Sequence, residues 1–244
     1  MCTLIVFRDV DPRYPLVVAA NRDEVPGRHA LTAGPAWLTD DIFCPRDLVH
    51  GGSWIGVNRH GLLAALTNRS IMPRSKGRRS RGLLVTEALA CRTADEAAAG
   101  ALAAPSGTYN GFHLFLADGR GASLLWCDGA AVESRPVTAG LHVITGDGCD
   151  PGHSVRDGII RACATRSPRL EDQFWLDRLL SFHGPNSDDG TCVHGPDVRM
   201  ETGFSMTVHR PANGRFWRVD WRAGRPCRGG GWHAQIVPIT DGES

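Results

Sequence analysis

MCTLIVF, residues 1–7, and LVVAANRDE, residues 16–24, decide how this chain begins to fold. The apolar runs TLIVF (3–7) and LVVAA (16–20) flank the polar, proline-containing connection RDVDPRYP (8–15), and β-branched residues are frequent in both. That pattern predicts an antiparallel hairpin. The end of one strand in such a pair lies beside the start of its partner, which brings Asn21, Arg22, Asp23 and Glu24 to Cys2. If Met1 is removed, Cys2 becomes the first residue, with a thiol and a free α-amine of reference pKa roughly 7.7–8.0 that can serve as a base near neutral pH. Nucleophile and base are then one residue. The simpler reading of Cys2 alone is a small buried residue heading a strand.

Farther along, SWIGVN (53–58) and GLLAALTN (61–68) form a second predicted strand pair turning at Arg59, His60 and Gly61, with Asn68 closing the apolar strand. Helical spacing and an Ala, Leu and Glu composition over 82–104 predict one or two helices ending near Pro105. FHLFLAD (112–118), ASLLWCD (122–128), AAVESRPV (130–137) and LHVITGD (141–147) read as a meander of four short strands. SVRDGIIRACATR (154–166) and LEDQFWLDRLLSFH (170–183) read as helices. Strands are expected near GTCVH (190–194), FSMTVHR (204–210) and GRFWRVDW (214–221), and an irregular loop at RGGGWH (228–233). This order lacks the βαβα alternation of a parallel sheet, so two antiparallel sheets covered by helices are expected. No repeat or low-complexity linker divides the chain, and a single domain over 1–244 is the expectation.

The 244 residues are 42% hydrophobic and 22% charged with net charge +1, a balance that gives no electrostatic reason to expect nucleic acid or an anionic membrane as partner. The basic stretch RSKGRRSR (74–81) lacks interleaved aromatics and reads as a solvated loop. The opening apolar run is too short for a signal peptide and is followed at once by charge, and nothing approaches the roughly 18 apolar residues of a membrane span. A soluble, cytoplasmic protein with a small-molecule substrate or ligand is expected. The eight cysteines contain no C-x-x-C pair, so reduced thiols are the default. Cys192 and His194 have the spacing of two metal ligands but no partner pair in sequence, and no metal is expected.

Cys2 after Met1, ANRDE (20–24), Trp37, PRDL (45–48), GGSWIGVN (51–58), GLLAALTN and SRGLLV (80–85), with a weaker echo at GTCVHGPD (190–197), together resemble the NRDE family, also called the transport and Golgi organisation protein 2 family. The resemblance implies an α+β fold of N-terminal-nucleophile hydrolase type, a four-layer αββα sandwich of two antiparallel sheets. It is similar to choloylglycine hydrolases and penicillin V acylases, which also start Met-Cys-Thr and whose freed cysteine attacks a linear amide. It therefore implies an N-terminal cysteine amidohydrolase or acylase acting on a non-peptide C–N bond, with no cofactor. By position Cys2 is the nucleophile, Arg22 and Asp23 fall in the second-strand cluster, and Asn68 matches the asparagine that follows the N-x-x-G turn at 58–61. Asn21, Glu24, Trp54 and Arg81 are the expected substrate contacts.

In that chemistry the Cys2 amine takes the thiol proton, Arg22 favours thiolate, Asp23 orients the new ammonium and Asn68 donates to the oxyanion. An acyl-thioester forms and water clears it. Plainer roles exist for each: Arg22 pairs with Asp23 or Glu24, Asn68 caps a turn, Trp54 is core, and Arg81 with Ser80 starts a helix. Two departures from the acylases stand out. Arg22 and Asp23 are adjacent and face opposite sides of a regular strand, which leaves Glu24 or Asn21 to take one role. Gly146 stands where a later asparagine is expected, and Asp147 as an anion repels an oxyanion. The second function implied is a non-catalytic binding or trafficking protein for a hydrophobic ligand such as haem or an acyl metabolite, because family members are associated with Golgi organisation, lipid metabolism and haem handling.

Overall fold

The expected hairpin forms as β1 (Thr3–Asp11) and β2 (Tyr14–Glu24), with Thr3 opposite Asn21 and Arg8 opposite Leu16. A computed structural model describes residues 2–27, 34–70, 75–149, 151–164, 168–186, 188–196 and 198–240. There follow β3 (Ala36–Trp37), β4 (Ile42–Cys44), β5 (Ile55–Asn58), β6 (Leu63–Asn68), α1 (Gly82–Leu89) and α2 (Ala94–Leu102). Next come β7 (Phe112–Ala117), β8 (Ala122–Cys127), β9 (Val132–Pro136), β10 (Gly140–Thr145), α3 (Val155–Ala164) and α4 (Gln173–Ser181). The chain ends with β11 (Glu201–Arg210), β12 (Phe216–Ala223), a 3-10 turn at Pro226–Arg228, and β13 (His233–Pro238). Among the described residues the result is α+β, with two antiparallel sheets and four helices.

The contacts divide the chain into two units, Met1–His29 with Ala139–Ala212 and Arg218–Gln235, and Ala30–Thr138 with Asn213–Trp217 and Ile236–Ser244. In the first, the sheet order is β10-β1-β2-β11-β12-β13. Alternation along β1 puts Ile5 and Phe7 on one face, where they pack with Val17, Ala19 and Val143 against Ile160, Leu176, Leu179 and Leu180 of α3 and α4. The Asp172 carboxylate accepts from the Phe174 amide and so caps the start of α4.

In the second unit the sheet order is β3-β4-β5-β6-β7-β8-β9. Leu62, Ala64 and Leu66 pack with Phe112, Leu114 and Leu116 against Leu84, Val85 and Leu89 of α1. Asn58 ties the β5–β6 turn to the end of that helix. Its amide nitrogen donates to the Leu89 and Cys91 carbonyls, each at 2.8 Å, and its oxygen accepts from the His60 and Leu62 amides. Gly52, at φ 77°, lies against the start of α1, where a Cβ would meet the Gly82 carbonyl carbon at 2.4 Å. No larger residue fits there.

Several expectations need correcting. The meander holds three strands rather than four, because β10 leaves β9 and pairs with β1, Thr3 opposite Thr145. β9 is largely exposed, whereas Val143 and Ile144 of β10 are buried. GTCVH is a loop, since the Cys192 amide bonds the Phe182 carbonyl and the Val193 amide bonds the Thr202 hydroxyl, and these local partners replace a ladder. RGGGWH is irregular up to the start of β13, a strand not foreseen. The basic stretch is not simply solvated. Arg78 donates to the Tyr109 and Gly129 carbonyls, Arg79 to Glu87 and the Tyr109 hydroxyl, and Arg81 to the Gly111 carbonyl; Arg74 lies outside the described residues. Among the described residues no helix is long and apolar enough to cross a membrane.

Two stability predictions follow from these contacts. Asn58→Ala leaves buried carbonyls without their donors and should cost about 3 kcal/mol in chemical denaturation. His209 on β11 is buried, donates from Nε2 to the Leu170 carbonyl at 2.9 Å, and turns Nδ1 toward Asp220, 3.8 Å away, whose carboxylate Arg218 also holds. Burial pushes its imidazole down to about 4 from the ordinary 6.5, against the opposing pull of Asp220. A depressed histidine makes the unfolded chain the stronger proton binder. Stability is therefore full above pH about 6.5 and falls by up to about 3 kcal/mol as the pH drops toward 4. Denaturation across that range should show the slope, and His209→Gln should flatten it.

Candidate functional site

Cys2 immediately precedes β1 and is 8% exposed. The Thr3–Asn21 register sets it beside the end of β2, and its thiol points at the Asp23 backbone carbonyl, 3.8 Å away. β11 lies along the other edge of β2 and carries a bulge there: Thr202 pairs with Asp23 and Phe204 with Arg22, leaving Gly203 over. A bulge sharpens the local twist and re-aims side chains.

Asp23 is 3% exposed. The Thr202 hydroxyl donates to its Oδ1 at 2.6 Å, and Arg156 Nη1 of α3 lies 4.0 Å from Oδ2. Arg156 also donates to the Thr3 hydroxyl at 2.8 Å and to the Asp188 carbonyl at 2.5 Å, so β1, β2 and α3 are joined around one buried charge pair. Arg22 pairs instead with Glu24 at 2.7 Å, as residues two apart on one strand face should. Asn21, expected as a substrate contact, is 0% exposed. Its amide nitrogen donates to the Leu180 and Thr191 carbonyls, each at 2.8 Å, and its oxygen accepts from the Ser205 hydroxyl at 2.6 Å. Those bonds make it a tie between β2, α4 and the loop that follows.

The remaining expected site residues belong to the second unit. Asn68 is the half-buried last residue of β6, opposite Phe112. Trp54 is buried. Arg81 precedes α1 in helical conformation and donates to the Gly111 carbonyl.

Burial pushes the Cys2 thiol above its ordinary value of 9.0, the Asp23 charge pushes it further, and Arg22 works the other way. A thiol so placed is neutral near pH 7 and needs a proton acceptor to become a nucleophile. Neither Arg156 nor Thr202 belongs to a motif that the sequence marks as a site. Arg156 did leave one signal, since helical spacing puts it one turn before the buried Ile160. Thr202 left none. Among the described residues, the side chains that could hold a metal gather elsewhere in the same unit, at His183, Cys192, His194 and Cys227.

The family described as Transport and Golgi organisation 2 matches residues 1–172. The Transport and Golgi organization protein 2 homologues of Bos taurus and Homo sapiens are 36% identical over 128 residues and 35% over 127, in each case 48% of this chain and 45% of the relative. The match thus spans less than half the length of those relatives. The Caenorhabditis elegans orthologue of N-acylethanolamine-hydrolyzing acid amidase superposes with a TM-score of 0.60 at 14% identity, over 84% of this chain and 92% of that one. A mutant of conjugated bile acid hydrolase from Clostridium perfringens gives 0.51 at 11%, over 99% and 98%. These likenesses show the fold, that of the N-terminal-nucleophile hydrolases. The chain belongs to the Transport and Golgi organisation 2 family.

Proposed function

We propose that the protein is an N-terminal cysteine amidohydrolase or acylase acting on a linear amide of a small molecule. The observation that carries this reading is the Cys2 thiol set against Asp23, whose carboxylate is held by Thr202 and Arg156. Removal of Met1 frees the Cys2 α-amine. The amine takes the thiol proton as sulfur bonds the substrate carbonyl carbon, and the Asp23 carboxylate stabilises the ammonium. Collapse of the tetrahedral intermediate breaks the C–N bond, and the ammonium returns its proton to the leaving amine. Water, deprotonated by the same amine, then cleaves the acyl-thioester to release the acid and regenerate the thiol.

Intact mass of the purified protein should show Met1 absent, and an electrophilic acyl probe should label Cys2 in preference to the other cysteines. Labelling that is unchanged in Cys2→Ala overturns the mechanism. In chain that keeps Met1, labelling should be slow at pH 7 and climb only beyond the ordinary thiol value of 9.0; in trimmed chain it should already be fast at pH about 8. Thr202→Val removes one bond to Asp23, an effect on the order of 1–2 kcal/mol, which should slow acylation by about 5- to 30-fold while Met1 removal continues. Saturable haem or acyl-CoA binding without any turnover of amides would favour a carrier instead.

A further inference from the structure

A second group of reactive side chains gathers in the first unit, outside the Cys2 cluster. His183 follows α4, Cys192 and His194 lie on the loop after it, and Cys227 sits in the 3-10 turn at Pro226–Arg228. One ligand atom from each of the four lies within 4.8 Å of all the others. His194 Nε2 is 3.1 Å from the Cys227 sulfur, and the rings of His183 and His194 meet edge to face with centroids 4.8 Å apart. We propose that these four residues bind one zinc ion.

The donor set is two thiols and two imidazoles with no oxygen, which suits zinc and excludes calcium or magnesium. Tetrahedral zinc with bonds of about 2.0–2.3 Å holds its ligand atoms roughly 3.3–3.8 Å apart, so closing the site takes shifts of only about 1 Å. The backbone between the ligands is built for close approach. The Cys192 amide bonds the Phe182 carbonyl at 3.1 Å. A Cβ at Gly184 would meet Asp189 Cβ at 2.4 Å, and one at Gly190 would meet the Gly184 nitrogen and the Phe182 carbonyl oxygen at 2.8 Å. The segments bearing His183 and Cys192 are thus pressed together by glycine at both contact points. Four protein ligands leave no open position, which makes the site structural rather than catalytic.

Its consequence reaches the other cluster through the loop. Thr191, beside Cys192, holds the Asn21 amide, while Val193 and Thr202 exchange bonds and Thr202 donates to Asp23. Zinc would lock that loop at both ends, and this last link alone rests on the amidohydrolase reading.

Elemental analysis of the full chain, purified without chelator or added metal, should find about one zinc per chain. Cobalt should replace it with the visible absorption of tetrahedral thiolate coordination. Cys227→Ser and His183→Asn alter the two exposed ligands and should each weaken retention of zinc against a competing chelator by at least about tenfold; Cys163→Ser, an exposed cysteine outside the group, should not. Cys2→Ala should keep its zinc, which separates failure of this proposal from failure of the enzymatic one. Folded protein that takes up no zinc or cobalt after reduction overturns it, as does zinc retained equally by Cys227→Ser. A Cys192–Cys227 disulfide in protein that binds no metal once reduced overturns it as well.

Discussion

The pairing of Thr3 with Asn21 is the constraint on which the first unit depends. Side chains alternate with period two, so a slip of one residue would turn every side chain of β1 to the other face. Ile5 and Phe7 would leave the helices, and Cys2 would leave Asp23. The core that holds Ile5 and Phe7 opposes such a slip, and so does the burial of Leu4 and Val6, which alternate with them along β1. Asn21 adds a polar lock to the apolar one. Its three bonds go to α4, the loop after it and β11, and none could be kept if β2 shifted along its neighbours.

The charge pair behind Cys2 obeys a different logic. Burying Asp23 and Arg156 carries a desolvation cost that their 4.0 Å separation alone would not offset. The hydroxyls of Thr202 and Thr3 and the Asp188 carbonyl supply the hydrogen bonds that make the burial tolerable. Such a network specifies geometry more than it adds stability. It holds the Asp23 carboxylate, a hairpin neighbour of Cys2, with partners on elements that the sequence separates widely.

That separation explains what could be read in advance. The β1–β2 hairpin, the Asn58 turn and the four helices rest on local patterns, and local patterns are visible in one sequence. The path of β10 was not visible, because nothing in LHVITGD distinguishes a fourth meander strand from an edge partner of β1. The sequence allows Arg22 to pair with Asp23 or Glu24, and strand geometry gives it Glu24. Arg156, Thr202, His183 and Cys227 reach their clusters only through tertiary folding. Cys192 and His194 looked incomplete as a pair because their partners come from the end of α4 and from the turn before β13.

The environment of Cys2 also explains why the proposed chemistry needs the amine. Arg22, which pairs with Glu24, favours the thiolate but less than burial and the Asp23 charge oppose it. Asp23 and burial therefore prevail, and both disfavour a lone thiolate. They do not act alike on a thiolate that shares its residue with an ammonium. On the proposed mechanism, proton transfer from sulfur to the α-amine would place a positive charge near Asp23, and the repulsion that the carboxylate imposes on sulfur would be offset by its attraction for nitrogen. On this mechanism the same carboxylate that holds the thiol neutral while Met1 remains would support the thiolate–ammonium pair once Met1 is gone, so that activation waits on the loss of one residue.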